Sequence, residues 1–240
     1  MAILAIETAT RQFGAAVVQD DQVLASYELL ADYPHAVELP GAVARVLNEA
    51  GTTLEAIEAI AVDIGPGSFT GLRIGLAFVK ALAFPSRKPV AGVPSLDVLA
   101  ANAALAARLV CPVLDARQKN LYAAFYRMQG QQAARQGDYM LGPAEEILAM
   151  VKEPAVFLGD GIARYRELIL ARCPEPQFAL PELWLPRVAV LGRLAAARVR
   201  RGEADPPDRL VPLYLYPLDC SVRGPDRPTS VLPQTIVRSR

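Results

Sequence analysis

The chain has 240 residues, is 52% hydrophobic and 21% charged, and carries 20 prolines and 16 glycines. That balance excludes a disordered or low-complexity chain and fits one large domain or two small ones. Its 25 basic and 25 acidic side chains cancel, yet residues 1–70 hold ten acids against Arg11 and Arg45, a net of −8, which argues against a phosphate-binding surface there.

Residues 2–7 are a short apolar run of the kind that forms a buried strand. Residues 13–19 and 22–30 follow as two more strands, with Asp20-Asp21 as the tight turn between them. A helix is predicted over about 35–50, with Pro40 either starting or kinking it and Gly51 as its cap. Residues 57–64 read as a fourth strand. Gly65-Pro66-Gly67-Ser68-Phe69-Thr70-Gly71 then turns into a helix over 69–84 that Pro85 ends. A strand at 89–92 and an Ala-rich helix at 95–107 complete the first part. The second part reads as strands at 109–115 and 120–128, then a Gln- and Gly-rich loop over 129–143. A helix (143–151), a strand (154–158), a helix (161–172), a Pro-rich loop and a helix (186–202) follow. The order implies α/β layering with two related halves, residues 1–107 and 108–216, and a flexible basic tail at 217–240.

Three scattered cysteines, Cys111, Cys173 and Cys220, argue against a disulfide framework or a zinc ribbon and point to a reducing compartment. No apolar run reaches about 18 residues, so neither a signal peptide nor a spanning helix is expected, and the chain is placed in the cytoplasm. His35 is the single histidine, with no second one at ligand spacing, so no metal is expected. The Gly65–Gly71 turn opens a helix and exposes amides that suit an anion, but it lacks the lysine of a phosphate-binding P-loop. The alternative is a plain strand-to-helix turn capped by Ser68 or Thr70. The helix behind it is apolar almost all round, its only charges being Arg73 and Lys80, seven apart on one stripe. Phe69, Leu72, Leu76 and Val79 point elsewhere, and the 35–50 helix shows the same excess in Leu39, Val43, Val46 and Leu47. Either both helices are sandwiched in their own domain, or one side of them meets a partner. Glu7-Thr8-Ala9-Thr10 and Asp115-Ala116-Arg117 stand where sugar-kinase, actin and Hsp70-like ATPases carry Asp-x-Gly-Thr. Both lack the glycine that admits phosphate.

These motifs resemble the TsaB (YeaZ) family. The resemblance rests on Ile3–Thr10, His35 with Leu39-Pro40, Gly65–Gly75, Gly92–Leu96 and Leu114–Arg117 with Tyr122, and it runs from residue 3 to about 216. It implies a two-lobed ASKHA fold, with a mixed sheet and helices in each lobe. It also implies a non-catalytic subunit in making N6-threonylcarbamoyladenosine, beside the anticodon of tRNAs that read codons beginning with A. The partner it implies is a TsaD-like paralogue, the transferase, docked through the helices at 35–50 and 69–84. The contact set is then His35, Leu39, Val43, Val46, Leu47, Phe69, Leu72, Arg73, Leu76, Val79 and Lys80. A TsaE-like ATPase would be a third member, and the same helices would support a homodimer when the chain is alone. No cofactor is implied, and tRNA contact falls mainly to TsaD. TsaD-like proteins hold a metal through two histidines four residues apart, whereas here His35 is followed by Leu39. This chain also departs from the family at Tyr214-Leu215-Tyr216-Pro217, where arginine usually follows Tyr-Leu. The rival functions are a stand-alone ASKHA nucleotide hydrolase or transferase, and a peptidase using Ser68 and His35.

Overall fold

The computed structural model describes residues 1–30, 35–103, 106, 108–130 and 132–216. The tail expected at 217–240 lies outside the described residues, as do the side chains of His35 and Ala36. The elements in chain order begin with β1 (Ala2–Glu7), β2 (Gln12–Gln19), β3 (Gln22–Leu30), α1 (His35–Glu49), β4 (Ala59–Gly65), α2 (Phe69–Ser86), β5 (Val90–Pro94) and α3 (Ser95–Asn102). They continue with β6 (Leu109–Asp115), β7 (Asn120–Gln129), β8 (Gln132–Pro143), α4 (Ala144–Leu148), β9 (Ala155–Leu158), α5 (Ile162–Arg172), β10 (Gln177–Phe178) and α6 (Val188–Arg200).

The chain divides into two units, residues Met1–Val98 with Leu185–Leu213, and Leu99–Trp184 with the segment from Tyr214 onward. In the first unit the strand order is β3-β2-β1-β4-β5. Strand β1 pairs antiparallel with β2 and parallel with β4; β2 with β3 is antiparallel, and β4 with β5 is parallel. Side chains alternate across the sheet, as strand geometry requires. Leu4, Ile6, Phe13, Ala15 and Val17 face α1 and α2, while Ile3, Ala5, Ala16 and Val18 face Val188, Leu191, Ala195 and Ala196 of α6. The sheet is therefore buried on both faces, which explains why β1 and β4 read as continuous apolar runs rather than alternating ones.

The second unit repeats this plan. Its order, read from the far edge, is β8-β7-β6-β9-β10, with the same sequence of antiparallel and parallel pairings. The expected α/β fold with a mixed sheet and helices in each half is present, and the second half is more complete than the sequence suggests. The stretch taken for a loop at 129–143 is strand β8, paired with β7 from Gln129↔Gln132 to Asn120↔Pro143. Its backbone bonds hold it, while its side chains are mostly half-buried or exposed, so its Gln, Arg and Gly residues leave no apolar alternation to read. The short β10 lies in the Pro-rich stretch and was missed for the same reason.

Three boundaries also differ. Helix α3 stops at Asn102 rather than 107. Helix α2 continues through Pro85 to Ser86, where the Ser86 hydroxyl bonds the Leu82 carbonyl at 2.6 Å and left-handed Arg87 caps the end. The segment Leu185–Leu213, expected in the second half, groups with the first unit because α6 covers the open face of its sheet. Among the described helices, α2 alone is long and apolar enough to cross a membrane. It packs on β4, with Gly71, Leu72, Gly75, Leu76, Val79 and Ala83 buried.

Candidate functional site

Helices α1 and α2 lie side by side on one face of the first sheet. Each buries one stripe on the strands, and the structure separates that stripe from the outer one. Leu39, Val43, Val46, Leu72, Leu76 and Val79 are all within the chain's own core, none more than 6% exposed. Leu47 is half-buried against it. Of the expected contact set, only Phe69 and Arg73 stand on the outer surface, with Lys80 half-exposed beside them. The side chain of His35 lies outside the described residues. The separation of the two stripes has a simple cause. A helix that covers a sheet buries one stripe whether or not its other stripe meets a partner, and composition alone mixes the two.

The outer stripe of α2 is formed by Phe69, Arg73, Ala77, Lys80, Ala81 and Phe84, which fall on one side at about 100° per residue. Phe69 is 54% and Phe84 56% exposed. The Arg73 guanidinium lies over the Phe69 ring, 4.0 Å from its centroid. On α1, Val37, Pro40, Gly41 and Ala44 are exposed, and Val37 is 73% exposed. The result is an outer face of large apolar residues around small ones. Val37, Ala77, Ala81 and Phe84 were missing from the expected set. The signal that finds them is their phase relative to the core stripe. Leu76→Glu or Val43→Glu would place an unpaired carboxylate in the core, at a cost of about 4 kcal/mol. Thermal melts of both variants are expected to show loss of the folded state rather than a selective loss of binding.

The glycine-rich turn has a different use from anion binding. Its Ser68 amide donates to the Ala9 carbonyl at 2.6 Å, and the Ser68 hydroxyl accepts from the Gly71 amide at 3.2 Å as the N-cap of α2. Thr8 Oγ1 donates to the Gly71 carbonyl at 2.8 Å. A Cβ on Gly67 would strike the Ala9 carbonyl oxygen, and one on Gly71 the Thr8 carbonyl oxygen. The glycines thus let the start of α2 press backbone to backbone on the corner after β1. The Ser68 hydroxyl is committed to its cap, which favours the structural reading of this serine over a nucleophile.

The corner after β1 is filled by the chain's own carboxylate. Glu7 is fully buried, and its Oε1 accepts from the Ala9 amide at 2.8 Å and the Thr10 amide at 3.2 Å. Both amides are thereby engaged within the chain. Beside it on β4, Asp63 is also fully buried, and its Oδ1 accepts from the Gly65 amide at 2.7 Å and from Ser95 Oγ at 2.6 Å. Burial, then the neighbouring Asp63, pushes the Glu7 carboxyl well above the usual carboxylate range. Burial raises Asp63 too, against the lowering effect of its hydrogen bonds.

The matching corner of the second unit follows the same rule. Asp115 Oδ1 accepts from the Arg117 amide at 3.0 Å, and Asp160 Oδ1 accepts from the Asp115 amide at 3.0 Å. Arg164 pairs with Asp115 at 3.4 Å. Tyr216, in the Tyr-Leu-Tyr segment, donates from its hydroxyl to the Ala116 carbonyl at 2.9 Å and accepts from Asn120 Nδ2 at 3.1 Å. Among the described residues no group of three or more His, Cys, Asp or Glu side chains is arranged to hold a metal.

Comparison with known proteins agrees with this architecture. The family model described as "TsaD: tRNA N6-adenosine threonylcarbamoyltransferase" matches residues 29–198. The Bacillus subtilis (strain 168) protein named "tRNA threonylcarbamoyladenosine biosynthesis protein TsaB" is 33% identical over 172 residues, 70% of this chain and 75% of that one. A tRNA N6-adenosine threonylcarbamoyltransferase of Methylorubrum extorquens is 37% identical over 134 residues, 48% of this chain and 39% of its own length. YeaZ from Pseudomonas aeruginosa superposes with a TM-score of 0.78 at 30% identity, over 89% of this chain and 99% of that structure. With a relative of this identity covered over three quarters of its length, and a solved structure matched almost end to end, the chain belongs to the TsaB (YeaZ) family.

Proposed function

We propose that this chain is a non-catalytic subunit in tRNA threonylcarbamoyladenosine biosynthesis that docks a TsaD-like paralogue through the outer face of α1 and α2. The observation that carries the reading is the exposed stripe Phe69–Arg73–Ala77–Phe84 of α2, with Val37 exposed on α1. Large apolar groups set around small ones form a surface that a partner helix can approach closely. The match of a transferase family model to residues 29–198 supports a paralogue of the same fold as that partner. Two features support a role without catalysis. The position four residues after His35 is Leu39, which is wholly buried in the core, so the paired-histidine metal motif is missing. The amides of the first corner are taken by Glu7 rather than left for phosphate.

In this proposal the same face carries self-association when the paralogue is absent, by an isologous contact. A TsaE-like ATPase is the third member, and tRNA is held mainly by the paralogue. The test is co-elution of this chain with the TsaD-like protein of the same organism on a sizing column, with and without Mg-ATP. A stable heterodimer is the expected result. Two separate peaks under both conditions would overturn the proposal. Calorimetry of this chain alone with Mg-ATP is expected to show no binding, and turnover there would favour the stand-alone hydrolase instead.

A further inference from the structure

Glu7 ends β1 and Asp63 lies two residues before the end of the adjacent parallel strand β4, and by strand alternation both point to the sheet face that carries α6. Each carboxyl has one oxygen fully engaged. Glu7 Oε1 holds two amides, and Asp63 Oδ1 holds an amide and the Ser95 hydroxyl. The other two oxygens, Glu7 Oε2 and Asp63 Oδ2, are buried with no hydrogen-bond partner. The two carboxyls are near enough that each bears on the other's ionisation. Two carboxylates have no hydrogen to share, and two buried like charges in contact are strongly disfavoured.

We propose that Glu7 and Asp63 share one proton, carried on Glu7 Oε2 and donated to Asp63 Oδ2, and that this proton is a structural part of the corner on which α2 starts. The surroundings decide which group keeps the charge. Asp63 receives the hydroxyl of Ser95, at the start of α3, and the Gly65 amide at the end of β4, both of which favour its anion. Glu7 receives two amides, but burial and the neighbouring Asp63 both push its carboxyl up.

The other charged groups nearby do not neutralise the pair. Asp97 of α3 adds a third negative charge that bears on Asp63. Just before α6, Arg187 binds Glu28; on the helix, Arg193 binds the Asp21 carbonyl and Arg198 the Gly92 carbonyl and Asp205. From the flanking strands, Gly14 of β2 stands opposite Glu7 and Val93 of β5 opposite Asp63. Arg73 and Lys80 lie on the outer stripe of α2, across the sheet.

The pH dependence follows with a definite sign. In the unfolded chain both carboxyls ionise near pH 4. The folded chain keeps one proton well above that, so it binds one more proton than the unfolded chain. Stability from the pair is therefore fully present below about pH 4 and lost as pH rises, by about tenfold in the folded-to-unfolded ratio per pH unit, until the folded pair ionises. With His35 the single histidine, little else titrates across neutral pH to mask the slope.

The experiment is a set of denaturant melts from pH 5.5 to 8.5 on the full chain and on Glu7→Gln, Asp63→Asn and the double variant, with and without a divalent cation. Either single amide supplies the shared hydrogen permanently. Each single variant should match or exceed the parent at pH 8 and lose the steep slope. The double variant should be less stable than either single one, because two NH2 groups then face each other. Infrared spectra at pH 7 should show a protonated-carboxyl band that Glu7→Gln removes. The proposal is overturned if both single amides weaken the fold additively with the slope retained. It is also overturned if added Mg2+ or Ca2+ raises the melt of the parent and abolishes the carboxyl band, which would make the pair a cation site.

Discussion

Ala77→Arg is expected to weaken the pairing with a TsaD-like paralogue by about 100-fold, roughly 3 kcal/mol, while leaving the melting temperature of this chain nearly unchanged. Ala77 stands on the outer stripe of α2 between Phe69 and Phe84 and contributes nothing to the core. Surface substitutions away from caps and packed sites usually stay within about 0.5 kcal/mol, and arginine is a good helix former. At the centre of a closely packed helix contact, however, its side chain has no room and its charge would lose water without a partner. Sedimentation or calorimetry on the mixed proteins, alongside a melt of the variant alone, separates the two effects. An unimpaired complex would move the docking site off α2. The contrast with Leu76→Glu matters here, since Leu76 is one residue away and 4% exposed. A binding defect in that variant reports only on folding.

Gly71→Ala should lower stability by about 3 kcal/mol, although in an ordinary helix the same change adds about 0.5–1 kcal/mol. Gly71 lies in the first turn of α2, and its missing Cβ is the space into which the Thr8 carbonyl fits. Thr8 also donates its hydroxyl to the Gly71 carbonyl at 2.8 Å, so the two backbones are held against each other from both directions. A methyl group there forces α2 away from β1 and breaks that bond. Gly41, on α1, provides the internal control, since nothing lies within 4 Å of the Cβ it would gain. Gly41→Ala is expected to raise the melting temperature and Gly71→Ala to lower it. Opposite signs from the same chemical change would show that close approach, not helix propensity, sets the role of the glycine-rich turn. If Gly71→Ala were neutral, the tight seat of α2 on β1 would be wrong.

Much of the first unit was legible because its strands are buried on both faces and its helices are long. Apolar runs at residues 2–7 and 57–64 and the turn at Asp20-Asp21 follow directly from the residue types. Strand β8 was not legible. Its pairing with β7 is made by backbone groups, and a half-exposed strand of Gln, Arg and Gly carries no period for the eye to follow. The place of α6 was hidden for another reason, since no local property of residues 188–200 states which sheet they cover. The candidate site was half legible. The apolar excess of α1 and α2 was plain, but the phase that separates Leu76 and Val79 from Ala77 and Phe84 appears only once the strands beneath are placed. Of the two buried acids on β1 and β4, the sequence singles out Glu7 but not Asp63. Their contact is a product of parallel pairing between strands more than 50 residues apart.

The return of Leu185–Leu213 to the first unit bears on how the chain is made. During synthesis the strands β1 to β5 emerge early, with one face of their sheet satisfied by α1 and α2. The other face, with Ile3, Ala5, Ala16 and Val18, waits for Val188, Leu191 and Ala195. The middle stretch up to Trp184 is continuous and is complete before α6 leaves the ribosome. The half that comes out first therefore closes only after the middle of the chain has been made. Until it does, an apolar sheet face stays open to chaperones and to other nascent chains.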